Sequence, residues 1–228
     1  MKKLIFILFA IFGSLFFFSC EDENINNDYK PVSKSTSFQN IKNYVGETIS
    51  RVNGQILIKG YKLIKTQESS YENNITTKYV YLSNDSIKYI ELNTFNDKVY
   101  GCSYHIGDMY TFNNNVDNIF SEFRNLSNEA NVLFANLSYK AIIDENPYPT
   151  HELFLNEFDS IKYEMNFCEE KWEQSNYLSA KITYFNEDFF LPTPPYPINH
   201  IVAEYFDFRL SPYANSKVFE KESKKDLF

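Results

Sequence analysis

Alternating apolar and polar positions mark four successive strands in the first half of the chain. The stretches 61–66, 76–82, 87–92 and 99–106 are rich in Tyr, Ile and Val, residues that favour strands. Between them stand Ser83-Asn84-Asp85 and Asn96-Asp97, residue types that are typical of tight turns. The pattern predicts an antiparallel meander of four strands.

Helical spacing precedes this meander and returns after it. Apolar residues three or four positions apart come first: Phe38, Ile41, Val45, Ile49, Val52 and Ile56. They predict two short helices, the second capped by Thr48 and ended by Gly60. Similar spacing over 116–137, with a break near Ser127, predicts a second helix pair.

A second set of strands is predicted at 139–143, 152–155, 161–167 and 178–185. Residues 151–158 could instead form a helix capped by Thr150. The strand is preferred because Leu155 precedes the segment 159–163 much as Leu82 precedes the segment 85–89.

Those two segments are identical, since Asp85-Ser86-Ile87-Lys88-Tyr89 recurs as Asp159-Ser160-Ile161-Lys162-Tyr163, 74 positions later. Upstream, Tyr61-Lys62-Leu63-Ile64 has a counterpart in Tyr139-Lys140-Ala141-Ile142. The repeats predict a tandem duplication. The expected fold class is α+β, with two units, 37–110 and 111–190, each a helix pair plus a four-stranded antiparallel meander. Residues 191–228 are expected to hold a Pro-rich linker, a candidate edge strand at 201–210 and a frayed tail.

This arrangement resembles the tandem fold of β-lactamase inhibitor proteins and, unit by unit, small outer-membrane assembly lipoproteins. The resemblance is one of topology over residues 37–185, and no binding residue is carried over from it. It implies a sheet with one face covered by helices and the other free.

The N-terminus predicts export. Lys2-Lys3 precedes an apolar run over 4–18, and acidic residues follow Cys20, a pattern typical of a signal peptide over 1–19. Phe17-Phe18-Ser19-Cys20 resembles the lipobox of bacterial lipoproteins, which implies that Cys20 is acylated and becomes the first mature residue. Residues 20–36 would then be an acidic tether holding the protein at the outer membrane, with Glu21 compatible with surface display. An ordinary cleaved signal, or an uncleaved anchor, is the alternative.

Charge argues against nucleic acid as a partner. The formal net charge is −8, and removing the two cations Lys2 and Lys3 would take it from −8 to −10. Binding a phosphate backbone needs clustered Lys and Arg, and the sequence shows no such cluster.

Catalytic signatures fail when their spacing is checked. His151-Glu152 begins like the helix motif of zinc proteases, but the second histidine position holds Leu155. Asn113 begins a calcium-loop pattern whose bidentate acid position holds Arg124. The chain also has only three histidines and no Gly-x-Ser-x-Gly elbow. Paired acids such as Glu169-Glu170 could serve a glycosidase but are more often solvated. No catalytic residue, cofactor or metal site is predicted.

Aromatic residues give the remaining signal. Those expected to contact a partner are Tyr79, Tyr81, Tyr89 and Tyr163 on the free sheet face, and Trp172 in the loop between Glu169 and Asn176. Core packing is the alternative, because tyrosine is also a common strand residue. Cys102 and Cys168 could form a disulfide, although they occupy non-equivalent places in the two repeats.

The sequence as a whole predicts a non-catalytic, lipid-anchored surface or envelope lipoprotein. It is expected to bind a protein through its open sheet face and could act as an inhibitor. An envelope-assembly or structural lipoprotein, or a surface glycan-binding protein or hydrolase, is the alternative.

Overall fold

The computed structural model describes residues 36–71, 74–84, 88–107, 116–175, 177–186 and 199–215. Within these ranges the helices are α1 Phe38–Tyr44, α2 Ile49–Ile58, α3 Val116–Leu133 and α4 His151–Ile161. The strands are β1 Tyr61–Tyr71, β2 Asn74–Ser83, β3 Lys88–Phe95, β4 Lys98–Gly107, β5 Ser138–Ile143, β6 Asn146–Tyr148, β7 Phe167–Gln174, β8 Leu178–Asn186 and β9 Asn199–Asp207. Short 3-10 helices at Phe208–Leu210 and Pro212–Asn215 follow β9. The predicted α+β class is confirmed.

The strands of the described residues form one antiparallel sheet in the order β1-β2-β3-β4-β9-β8-β7-β5-β6. At its centre β4 pairs with β9, with Tyr104 opposite Ala203. The predicted meander β1 to β4 lies on one side of this pair. On the other side β5, β7, β8 and β9 form a second four-stranded meander, and β6 pairs with the outer edge of β5.

The four helices in the described ranges pack on one face of the sheet. Phe120 of α3 packs against Tyr184 of β8, and Phe134, directly after α3, stacks on Tyr205 of β9, each with ring centroids 5.3 Å apart. One row of helix-facing residues runs across seven strands as Tyr81, Ile90, Tyr104, Ala203, Ile182, Glu170 and Ala141. The hydrophobic core lies between this face and the helices.

The opposite face carries the alternate residues of the same strands. Its corresponding row is Val80, Glu91, Ser103, Glu204, Lys181, Lys171 and Lys140. None of the helices α1 to α4 covers this surface, which we call the open face, and the 3-10 helix at Phe208–Leu210 packs at one end of it, where Phe208 stacks on Phe206.

Two turns follow the sequence prediction. Gly60 follows α2 with a φ of 87°, the left-handed conformation that glycine adopts without strain. Asn96 and Asp97, with φ values of 49° and 60°, connect β3 to β4, as expected for residues that tolerate this conformation.

The second half departs from the prediction. The strand predicted at 152–155 is wrong, because residues 151–161 form α4 with Thr150 as its N-cap and with Phe154 and Phe158 buried. The strand predicted at 161–167 is also wrong, since β7 begins only at Phe167. The predicted break near Ser127 is absent, because α3 is continuous and Ser127 is buried on its inner side.

The identical pentapeptides occupy different structures. Lys88 and Tyr89 begin β3, whereas Asp159 to Ile161 end α4 and Tyr163 follows that helix. Residues 85–87 lie outside the described ranges. The pentapeptide therefore does not mark equivalent positions, although Tyr61 and Tyr139 both lie in the first strand of a meander.

The strand expected at 201–210 exists as β9, but it lies at the centre of the sheet and not at its edge. It is flanked by β4 and β8. The second meander therefore extends beyond the predicted boundary at residue 190.

Several predictions concern residues outside the described ranges. These are the signal peptide over 1–19, Cys20, the tether to residue 35, the Pro-rich stretch 192–197 and the tail from 217. Among the described helices, none is long and apolar enough to cross a membrane.

Candidate functional site

A ladder of charged side chains crosses the open face. Lys181 on β8 lies 3.1 Å from Glu204 on β9 and 3.7 Å from Glu169 on β7. On the neighbouring strands, Glu173 binds Lys171 at 2.6 Å and Lys140 at 2.7 Å. We call these six residues the charge ladder.

The ladder is balanced, because it contains as many lysines as glutamates. Lys181, Lys171 and Lys140 stand directly opposite one another on β8, β7 and β5, an arrangement that would repel if the acids were absent. Hydrogen bonds from Lys140 and Lys171 lower the pKa of Glu173. Burial lowers the pKa of Lys181, but Glu204 and Glu169 raise it on balance. Glu173 and Lys181 are therefore charged at neutral pH.

The ladder remains partly open to water. Lys140 is 69% exposed and its partner Glu173 is 22% exposed. Ion pairs of this kind contribute only about 0 to 1 kcal/mol to stability each. A partner could therefore exchange these pairs for its own at little cost to the fold.

One end of the open face is aromatic and uncharged. Tyr89 stacks on His105 with ring centroids 3.9 Å apart, and Nδ1 of His105 lies 3.2 Å from Nε2 of His200. Burial lowers the pKa of His200 to about 4, and burial and His200 lower that of His105. Both imidazoles are therefore neutral at pH 7. Tyr89 lies on the predicted face.

Tyr79 and Tyr81 do not share that face, so their prediction as contact residues is wrong. Tyr81 stands opposite Ile90 on the helix-facing side and is fully buried. Tyr79 stands opposite Leu92 and packs against the core. Val80, which lies between them on β2, points to the open face instead, because it stands opposite Glu91.

Trp172 and Tyr163 are also misplaced by the prediction. Trp172 lies within β7 and not in a loop, and it is 1% exposed beneath the helices. Tyr163 follows α4, is 68% exposed and donates its hydroxyl to Asp117. It therefore does not extend the surface around Tyr89.

The candidate disulfide is absent, since Cys102 and Cys168 are free thiols. β9 and β8 separate their strands, which puts the strands roughly 14 Å apart at about 4.8 Å per strand, and the residue of β7 in the row of Cys102 is Trp172, so Cys168 is farther still. A disulfide needs Cα atoms within about 7 Å. Burial raises the pKa of both thiols, so neither is a reactive thiolate.

A buried carboxylate cluster lies on the covered face. Glu170 is fully buried and accepts hydrogen bonds from Ser127 of α3, Tyr139 of β5 at 2.7 Å and Nδ1 of His151 of α4 at 2.7 Å. Nε2 of His151 lies 3.3 Å from Oδ1 of Asn128. Burial and Glu170 raise the pKa of Tyr139.

This cluster ties two helices to two strands. Ser127 donates to Glu170 and not to His151, so the arrangement is not that of a serine nucleophile activated by a histidine. Three donors hydrogen-bond the oxygens of this buried carboxyl group, which offsets the cost of removing it from water. The sequence prediction missed the cluster, although Cys168, Glu170 and Trp172 follow the two-residue period of a strand with one buried face.

No group of three or more His, Cys, Asp or Glu side chains in the described ranges could hold a metal ion. The chain matches no protein-family model, no curated protein and no solved structure.

Proposed function

We propose that this chain is a non-catalytic lipoprotein of the bacterial outer membrane, anchored by acyl chains on Cys20, that binds a protein partner through its open face. The N-terminal pattern ending at Ser19-Cys20 supports the anchor. If binding to the open face blocks the activity of the partner, the protein is an inhibitor of that partner.

The charge ladder is the observation that carries the binding proposal. An exposed sheet face with many paired charges is complementary to a protein surface that carries alternating charges at the same spacing. Because its lysines and glutamates balance and the chain is acidic overall, at −8, the ladder does not suit nucleic acid. Tyr89, beside the ladder, supplies an aromatic contact at its edge.

Site-specific crosslinking tests the proposal. A photo-reactive amino acid at Lys171 samples the open face, and the same group at Lys162, just after α4, samples the helix side. We expect one protein to be crosslinked from position 171 and not from 162 in intact cells. In a second step, charge reversal by Lys181→Glu should reduce that crosslink at least tenfold, while Lys162→Glu should leave it unchanged. The same products from both positions, or none from 171, would refute the proposal.

The anchor is tested separately by mass spectrometry of the mature N-terminus. Acyl chains on Cys20 are expected, and Cys20→Ala should leave the protein in the soluble fraction. An unmodified, uncleaved N-terminus, or a Cys20→Ala variant that still partitions with membranes, would contradict the anchor.

A surface hydrolase is the second candidate, and an envelope-assembly role the third. The hydrolase is favoured by His151, at 13% side-chain exposure, whose Nδ1 is held by Glu170 and whose Nε2, 3.3 Å from Oδ1 of Asn128, would act as a base once that amide is displaced. Such a pair resembles an oriented general base. Glycan turnover that is lost in His151→Asn, with the fold intact, would establish the hydrolase in place of the binding protein.

The duplication also remains a proposal. We infer that the meanders β1 to β4 and β5, β7, β8, β9 descend from one unit, with β6 and α4 inserted after β5. Two observations support this common origin: the two meanders have the same strand order, and their last strands, β4 and β9, pair with each other. An experimental structure in which the two meanders do not superpose strand for strand would refute it.

A further inference from the structure

A polar groove lies between α1 and α2, on the helix side of the sheet. It encloses about 510 Å³, which is within the range of small-molecule sites. Its lining residues are Asn40, Asn43, Tyr44, Glu47, Arg51, Gln55, Ile58 and Lys59. The groove is therefore a concave surface of amides and charged groups, and it lies on the opposite side of the sheet from the open face.

The ammonium of Lys59 is the unusual group in this groove. Its Nζ donates to the hydroxyl of Tyr44 at 2.9 Å and lies 5.4 Å from the centre of that ring. Among the described residues, no carboxylate forms an ion pair with Lys59, whereas the other cation, Arg51, is paired with Glu47 at 3.0 Å. The lining therefore carries one uncompensated positive charge in a protein of net charge −8.

The position of Lys59 is costly to the free protein. Tyr44 beneath it is 1% exposed, and the surrounding burial lowers the pKa of Lys59. Partly buried ionisable groups whose pKa is shifted cluster at functional sites. An anion in the groove would supply the missing partner.

The amides give a second line of recognition. Nε2 of Gln39 donates to Oδ1 of Asn43 at 2.7 Å, which orients the Asn43 side chain so that its Nδ2 donors remain for a ligand. Asn40 and Gln55 supply further amide groups. Amide side chains hydrogen-bond hydroxyl groups as both donors and acceptors.

The geometry points to a binding site for a small hydroxylated organic acid, such as a sugar acid, whose carboxylate pairs with Lys59 and whose hydroxyl groups contact the amides. This inference is independent of the proposed function, because the groove and the open face share no residue.

Isothermal titration calorimetry on the purified full chain tests it with three probes: galacturonate, neutral galactose and inorganic phosphate. We expect saturable binding of one galacturonate, at least tenfold tighter than galactose or phosphate. Lys59→Met keeps the apolar stem and removes the charge, and it should weaken galacturonate binding at least tenfold. The matched control is Lys62→Met, an exposed lysine three positions away on β1, which should leave the affinity unchanged.

Asn43→Ala, at an exposed position, provides a variant that cannot disturb the core. It should weaken galacturonate more than phosphate, since phosphate lacks the hydroxyl pattern. Equal binding of galacturonate and galactose, equal effects of Lys59→Met and Lys62→Met, or no binding of galacturonate would overturn the inference. Tighter binding of phosphate than of galacturonate would overturn the organic-acid assignment.

Discussion

Replacing Glu170 tests the buried carboxylate cluster directly. Glu170→Leu fills similar space but leaves three donors, from Ser127, Tyr139 and His151, without their acceptor. An unsatisfied buried donor costs about 1 to 3 kcal/mol, and His151 can recover part of its loss from water. We therefore expect a loss of about 3 to 5 kcal/mol in the free energy of unfolding.

The assay is urea denaturation followed by fluorescence. Trp172, the one tryptophan in the chain, lies two residues from Glu170 and is buried, so its emission reports unfolding at the site. The midpoint should fall while the slope stays constant. Thermal unfolding should shift downward by about 6 to 20 °C, at roughly 2 to 4 °C per kcal/mol for a domain of this size.

The adjacent glutamate is the matched control. Glu169 lies on the open face, where its only ion pair in the described residues is with Lys181 at 3.7 Å. Glu169→Leu should change stability by about 0.5 kcal/mol or less. Glu170→Gln, which keeps one acceptor oxygen, should fall between the two.

A combined variant separates hydrogen bonding from packing. Ser127→Ala with Tyr139→Phe in the Glu170→Leu background removes two of the three orphaned donors and should recover part of the lost stability. Equal stability of Glu170→Leu and Glu169→Leu, or no recovery in the combined variant, would show that the cluster does not hold the helices to the sheet as described.

Two further outcomes follow from buried groups. Tyr81→Phe should be as stable as the wild type or slightly more so, because the Tyr81 hydroxyl has no hydrogen-bond partner in the described residues. Tyr81→Ala should lower the free energy of unfolding by about 3 to 5 kcal/mol. A loss above about 1 kcal/mol for Tyr81→Phe would reveal a partner for the hydroxyl. Burial holds the pKa of His200 at about 4 in the folded protein, below its value of about 6.5 in the unfolded chain. Between these two pH values the unfolded state binds more protons than the folded state. The free energy of unfolding should therefore decrease as the pH falls from about 6.5 to 4. His200→Gln should flatten that slope in a series of denaturation curves, and an unchanged slope would contradict a buried, neutral imidazole.

The first meander could be predicted because its local patterns agree. Asn96-Asp97 fits its turn, and in β3 the apolar Ile90 and Leu92 alternate with Glu91 and Asn93. The faces of β2 were ambiguous, since Tyr79 and Tyr81 alternate with the equally apolar Val80 and Leu82. Register against β3 resolves this, because it sets Tyr81 beside Ile90. Local pattern alone does not contain that pairing.

The second half was harder because one of its buried strand positions, Glu170, is an acid. In β7 the helix-facing residues include Glu170. The sequence of this strand is therefore as rich in charged residues as a solvated loop. Its acid is stabilised by Ser127 and Tyr139, which are distant in sequence. The apolar positions Phe154 and Phe158, four residues apart after Thr150, did contain the helix signal for α4.

The pairing of β4 with β9 has a consequence for how the molecule is made. Ser103 and Glu204, which are hydrogen-bonded across this pair, are 101 residues apart. As the chain grows from its N-terminus, the first meander can assemble while the edge of β4 still lacks its neighbour. Unpaired strand edges promote association between chains, and contacts this distant in sequence form slowly. The last of the described strands thus closes the middle of the sheet, and until β9 arrives the edge of β4 is open to pairing with another chain.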